Sequence, residues 1–153
     1  METAQGVDVQ RNKTIVKLVT EKGFNEGDLD GLEPYFASDY RVHAPGVPPL
    51  PPGTGAFRAA VSLWREAFPD INVNVEDVIG EGEEVYCRFV TRGTHSGPLM
   101  GIPPTGKQVT IHEMSCHRLV NGKVVESWIG DNVPNILHQI GALVPVGGGG
   151  PAA

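Results

Sequence analysis

The apolar residues of this chain change their period at Pro69. Before it, Phe57, Ala60, Val61, Trp64, Ala67 and Phe68 recur at i, i+3, i+4 and i+7, the spacing that lays a stripe along one face of a helix. After it, Ile71, Val73 and Val75, and then Val85, Cys87 and Phe89, alternate with mostly polar residues, the period of a strand buried on one face. Helices first, strands later and no repeat at a fixed period predict an α+β fold: a strongly curved, antiparallel or mixed sheet closed off by helices. Such a sheet can leave a hollow beneath the helices, where small-molecule sites form.

The remaining elements follow from local signals. Ile15, Leu18 and Val19 predict a first helix over Asn12–Phe24 that ends at Gly27. Asp28 can cap a short second helix with Leu29, Leu32 and Phe36 on one face, and Asp39–Ala44 reads as a short strand. Pro45–Gly55, with seven prolines and glycines before Thr54, predicts a loop or lid, with Thr54 capping the helix that follows. Two strands meet at Gly80–Glu83, a Gly/Pro-rich connection spans Gly97–Gly106, and a long strand over Val109–Val120 turns back at Asn121-Gly122 into Lys123–Ile129. Val133–Ile140, with Pro134 in its first turn, closes the chain as a helix. One domain over residues 12–144 is expected, with an extended or disordered segment at 1–11 and a disordered tail at 145–153.

Charge and composition exclude several functions. Twelve basic and 18 acidic residues leave a formal net charge of −6, and the basic residues are scattered, which argues against nucleic acid as a partner. No apolar run reaches a membrane-spanning length and the first residues lack the pattern of a signal peptide, so no membrane partner and a cytoplasmic location are expected. Cys87 and Cys116 fall within strands and form no CxxC pair; buried free thiols are the simpler reading. His112, Cys116 and His117 lie close in sequence, yet on one strand His112 and Cys116 stand roughly 13 Å apart and His117 faces the other way. Metal ligands must each lie about 2 Å from one ion, so no metal site is expected there.

Arg92–Lys107 reads RGTHSGPLMGIPPTGK, Asn121–Trp128 reads NGKVVESW, and HQIGALVP follows at the end of the last helix. In combination these segments resemble the SnoaL-like polyketide cyclase family of the nuclear-transport-factor-like superfamily, with ketosteroid isomerase and limonene epoxide hydrolase as distant relatives. The resemblance covers roughly Ile15–Pro145. It implies a cone-shaped fold of six or so strands and three or four helices, an apolar small-molecule substrate, no metal and no organic cofactor, and assembly into a homodimer or homotetramer through the outer sheet face. It further implies an intramolecular aldol reaction in which a carboxylate removes a proton beside a carbonyl, or, in a related branch, cofactor-independent hydroxylation; a non-catalytic binding or oligomerisation domain of the same fold is the alternative.

In the family an aspartate follows the hairpin tryptophan by four residues; here Asn132 holds that place and Asp131 precedes it. An amide positions a substrate oxygen but does not shuttle protons as a carboxylate does, and either residue could instead cap the last helix. Asp131 faces the pocket only if its strand has ended or bulged. His117, with an ordinary pKa of about 6.5, is a candidate proton carrier. Whether His117 or Arg118 faces inward depends on a bulge near the Asn121-Gly122 turn: with it, Arg118, Cys116, Met114 and His112 share a face with Val124, Glu126 and Trp128. Arg88 matches an arginine of limonene epoxide hydrolase, but Val90 stands where that enzyme has an aspartate, so epoxide hydrolysis of that type is not expected. His43, Arg88, His95 and Arg118 are candidate substrate contacts, and Trp64, Phe89, Met100 and Trp128 are core residues that can double as pocket wall.

Overall fold

The computed structural model describes residues 7–142. The expectations for residues 1–6 and for the tail from Pro145 lie outside them. Helix α1 (Val9–Glu26) starts earlier than expected, because Asp8 accepts a hydrogen bond from the Arg11 amide and caps it. Gly27, at φ 70°, closes it with a left-handed C-cap. A single turn α2 (Leu29–Leu32), capped by Asp28, runs into a 3₁₀ turn over Glu33–Tyr35 that accommodates Pro34. Phe36 therefore opens strand β1 (Phe36–His43) and is not part of a helical face. Helix α3 (Thr54–Ala67) has Gly53, not Thr54, at its N-cap position; the Thr54 hydroxyl turns instead to Glu33. Strands β2 (Asn72–Glu81), β3 (Glu84–Thr94), β4 (Gln108–Val120) and β5 (Lys123–Ile129) and helix α4 (Val133–Gln139) complete the described chain.

The five strands of the described residues form one mixed, unclosed sheet in the order β1-β5-β4-β3-β2. The four later strands are antiparallel, as the hairpin signals predict, while β1 joins the edge parallel to β5. Irregularities between Val75 and Asp77 on β2 and between Arg118 and Leu119 opposite β5 add residues to one strand of a pair, which bends the sheet. α1 and α3 lie on the concave face. Ile15, Val16 and Val19 of α1 and Phe57 and Val61 of α3 are buried against Val85, Cys87, Val109, Ile111 and Leu119 of the sheet.

The second irregularity decides which residues point inward. Asn121 (φ 51°) and Gly122 (φ 77°) form a two-residue turn with both centres left-handed, so the turn itself holds no extra residue. The extra residue is Val125: Leu119 pairs with Val124, but Arg118 pairs with Glu126. Val124 and Leu119 consequently share the buried face, and beyond the bulge His117 and Ser127 face inward while Arg118, Glu126, Cys116 and Trp128 face outward. The expected grouping of Arg118 with Glu126 and Trp128 occurs, without Val124, on the outer face of the sheet.

Candidate active site

Between the concave face and the helices lies a cavity of about 140 Å³. Its wall is hydrocarbon for most of its extent: Phe24 from α1, Trp64 from α3, Phe89 and Ile111 from the sheet, and Val47 and Leu50 from the proline-rich loop that covers it. The polar side chains reaching it are Thr20, Thr91, Glu113, Ser115, His117 and Asn132. An apolar chamber with a few convergent polar groups is the usual form of a small-molecule site.

Glu113 is the carboxylate of this cavity. It lies on β4 at the same parity as Ile111, Ser115 and His117, and alternation turns it inward. The Thr91 hydroxyl, one strand away on β3, donates to its Oε2, and the Asn132 amide Nδ2 donates to its Oε1 at 2.9 Å. Burial raises its pKa above the usual carboxylate range, and the two hydrogen bonds, which favour the ionised form, oppose that rise. The result is a carboxylate fixed in orientation and shifted toward working pH, the property required of a general base that later returns its proton.

Asn132 reaches Glu113 because β5 has ended. The strand stops at Ile129, Gly130 N–H still bonds to the Met114 carbonyl at 3.2 Å, and Asn132 N–H then bonds to the Gly130 carbonyl at 3.0 Å. This tight bend resets the side-chain parity, so Asn132 points into the cavity while Asp131 is exposed and does not line it. Asn132 occupies the N-cap position of α4 but makes no side-chain capping bond; its amide is committed to Glu113.

His117 is fully enclosed. Its Nε2 lies 2.9 Å from the Ser115 hydroxyl and its Nδ1 lies 2.7 Å from the Ser127 hydroxyl. Burial disfavours the imidazolium and pushes the pKa down to about 4, so the ring is neutral near pH 7 and lacks the ordinary titration that suggested a proton carrier. The depressed value has a consequence for stability. The unfolded chain binds a proton here below about pH 6.5 and the folded chain only near pH 4, so stability is lost as pH falls through that interval, by up to roughly 3 kcal/mol. His117→Asn is expected to flatten this part of the curve, measured by urea unfolding between pH 7 and pH 4; an unchanged slope would remove His117 as its source.

The other residues singled out from sequence separate into three places. Trp64 and Phe89 line the cavity. His95 and Met100 belong to the loop between β3 and β4 and do not line it. His95 is buried, its Nδ1 accepts from the Thr105 amide at 3.2 Å, and its backbone bonds to Lys107 and Gly106, so it ties that loop together; Met100 packs against the edge of the core. His43, Arg88, Arg118 and Trp128 lie on the outer sheet face, the correction that the Val125 bulge and strand parity impose. There Trp128 stacks on His43 with ring centroids 5.5 Å apart, Glu126 takes a 2.7 Å bond from His43 and pairs with Arg118, and Arg88 pairs with Glu76 at 2.5 Å. His112 and Cys116 share this outer face, opposite His117. Among the described residues no group of three or more His, Cys, Asp or Glu side chains could hold a metal ion, and no helix is long and apolar enough to cross a membrane.

The same architecture is found in known proteins. Nogalonic acid methyl ester cyclase of Streptomyces nogalater is 29% identical over 120 residues, covering 77% of this chain and 89% of that one. The crystal structure of IdmH from Streptomyces antibioticus, put forward as a polyketide cyclase, is 33% identical with a TM-score of 0.70 over 86% of this chain and 99% of that one. AclR of Streptomyces galilaeus, put forward as a hydroxylase, is 27% identical with a TM-score of 0.74, covering 90% of this chain and 89% of that one. The model of the SnoaL-like polyketide cyclases matches residues 14–140, a span that takes in all five described strands, α3, all but the first five residues of α1, and the polar cavity residues. The chain belongs to the SnoaL-like polyketide cyclase family.

Proposed function

We propose that this protein cyclises an aromatic polyketide or related keto compound by proton transfer, with Glu113 as the acid and base. The observation that carries the reading is the one carboxylate that, among the described residues, lines a largely apolar cavity, Glu113, held by Thr91 and Asn132. The carboxylate removes a proton from a carbon beside a carbonyl, leaving an enolate; the enolate carbon attacks a second carbonyl of the same molecule; the alkoxide so formed takes back the proton from the Glu113 carboxylic acid. A carbon–carbon bond forms, no electron leaves the substrate, and no co-reactant is consumed. The apolar wall suits a fused aromatic substrate and keeps water from quenching the enolate.

The amide at Asn132, where the family carries an aspartate, does not remove acid–base chemistry on this reading. It moves the acid to the neighbouring strand and serves as that acid's hydrogen-bond donor. The test is turnover of nogalonic acid methyl ester, the compound for which the cyclase of Streptomyces nogalater is named, by the native chain and by Glu113→Gln. Loss of cyclisation in the variant supports the reading, and binding without turnover by the native chain favours a non-catalytic module.

The outer sheet face supports a proposal about assembly. Ile79, Tyr86, Met114 and Trp128 are 62%, 54%, 68% and 38% exposed on it, and large apolar side chains grouped on one exposed face commonly mark an interface. A second copy of the chain is the proposed partner. Met114→Lys is expected to shift the purified protein toward the monomer mass in light scattering, while a native chain already monomeric at micromolar concentration would refute it.

A further inference from the structure

Of the polar side chains that reach the cavity, all but one are engaged with other protein groups. Thr91 and Asn132 donate to Glu113, and Ser115 and His117 bond to each other with Ser127 behind them. The exception is Thr20, whose hydroxyl has no hydrogen-bond partner among the described residues. That oxygen is not sealed inside the protein either. The fully buried side-chain oxygens and nitrogens that lack a partner, among the described residues, are Asn12 Oδ1 and His95 Nε2, whereas Thr20, 7% exposed, borders the cavity.

Packing alone does not explain a threonine at this place. Ile15, Val16, Val19 and Gly23 are buried around it on α1, and Phe24, one turn further on, lines the same cavity. A helical threonine can settle its hydroxyl on the carbonyl four residues back, as Thr14 does on Gln10 at 3.1 Å. Thr20 makes no such bond. Its hydroxyl therefore adds nothing to the fold, and an unpaired hydroxyl in an apolar wall costs stability that a valine of the same shape would not. A ligand oxygen in the cavity is what can use it, and a local breach of the packing pattern with no structural return is the mark of a functional position.

We propose that Thr20 is a substrate-anchoring and specificity-determining residue: its hydroxyl donates a hydrogen bond to a carbonyl oxygen on the edge of the keto compound that faces α1, and so selects substrates that carry an oxygen there. The inference rests on the reading of this cavity as the site of a keto substrate. Glu113 enters from β4 and Thr20 from the helix layer over the concave face, so the substrate lies between the base and the anchor. An ionised carboxylate only accepts hydrogen bonds, and it cannot hold a carbonyl oxygen; Thr20 supplies a donor on the opposite wall. The anchored oxygen is away from the carbon that loses its proton, so the bond is the same before and during the reaction and contributes to binding, not to the chemical step. An analogue without that oxygen leaves the hydroxyl unpaired, which is how a polar group in an apolar pocket discriminates.

Thr20→Val keeps the shape of the side chain and removes the hydroxyl. It is expected to raise KM for nogalonic acid methyl ester about tenfold with kcat changed less than about threefold, and Thr20→Ser to recover most of the loss. A KM raised by less than about threefold would overturn the proposal, as would a loss confined to kcat, which belongs to a partner of the reacting oxygen. The ligand-free valine variant is expected to melt no lower than the native chain; a melting temperature lower by more than about 2 °C would show that the hydroxyl serves the fold, and would also overturn it. Two one-ring probes of matched shape, acetophenone and α-methylstyrene, which differ in a carbonyl oxygen against a CH₂, read the hydroxyl without turnover. In NMR titrations of the full chain, Thr20→Val should weaken acetophenone about fivefold and leave α-methylstyrene unchanged or tighter; an equal effect on both would overturn the proposal. Turnover that survives Glu113→Gln removes the base assignment instead, and a native chain inactive on the ester removes the cyclisation reading. The probe pair needs no proton transfer and decides on Thr20 independently of either result.

Discussion

Glu113→Gln is expected to lower kcat for cyclisation by about 10³-fold, within the range that positioned general bases contribute, while leaving the fold intact. The substitution keeps the side chain's length and shape. The Thr91 hydroxyl can rotate and the Asn132 amide can turn over, so both hydrogen bonds to position 113 can be re-formed with the new amide. What disappears is the capacity to accept and return a proton. In the native protein the rate should rise with pH through the elevated pKa of Glu113, above the usual carboxylate range, and this limb should be absent from the residual rate of the variant.

A second signature separates loss of chemistry from loss of structure. Because the folded-state pKa of Glu113 is raised, its contribution to stability is full below the unfolded value of about 4.5 and is lost as pH rises through the folded value. At pH 7 the charged carboxylate therefore costs stability, and the variant should melt at a higher temperature than the native chain, with the gap closing in acid. An inactive variant that is also more stable at pH 7 is the outcome expected of an acid retained for chemistry. Turnover within threefold of native would show that the proton is taken elsewhere.

Glu113 is legible in the sequence only where strand parity can be counted along β4 itself. The change of period at Pro69 and the Asn121-Gly122 hairpin made the α+β class and the antiparallel run legible, because local apolar spacing and turn chemistry determine both. Strand parity counted forward from Val109 and Ile111 places Glu113, Ser115 and His117 on the buried side. Counted back from Trp128 through the turn, Ser115 and His117 share the tryptophan's face only if β5 holds no bulge; the Val125 bulge instead sets Trp128 beside Cys116 and Arg118 on the outer face, and nothing in the NGKVVESW segment announces it. The same bulge decides that Arg118 and Trp128, both pocket candidates from sequence, face outward. Asn132 was legible as an occupant of the family's acid position, but its partnership with Glu113 was not, since a 19-residue separation is bridged by the fold alone. The parallel pairing of β1 with β5 is likewise a long-range contact with no local signal.

Exchanging the two members of that partnership gives the most discriminating test of where the acid resides. Asn132→Asp alone sets a second carboxyl about where the Asn132 amide now lies 2.9 Å from Glu113 Oε1. Two carboxylates that close cannot both ionise readily; one apparent pKa falls and the other rises, together separated by about 3 units in known dyads. The alkaline member of the pair would start from the already raised value of Glu113, so the base limb of the rate profile should move upward by at least about 2 pH units, and activity at a fixed pH below it should fall roughly 100-fold. The double variant Glu113→Gln/Asn132→Asp restores one carboxylate and one amide with their places exchanged. It keeps a hydrogen bond across the same gap, directs the acid into the same cavity from the start of α4 instead of from β4, and is expected to recover at least tenfold in kcat over Glu113→Gln, with a single base limb. Recovery of that kind would mean that the cavity requires one carboxylate at either member of this pair, on β4 or at the start of α4. A double variant no faster than Glu113→Gln, in a chain that still folds, would mean that the position of the acid on β4, beside Ser115, matters as much as its presence.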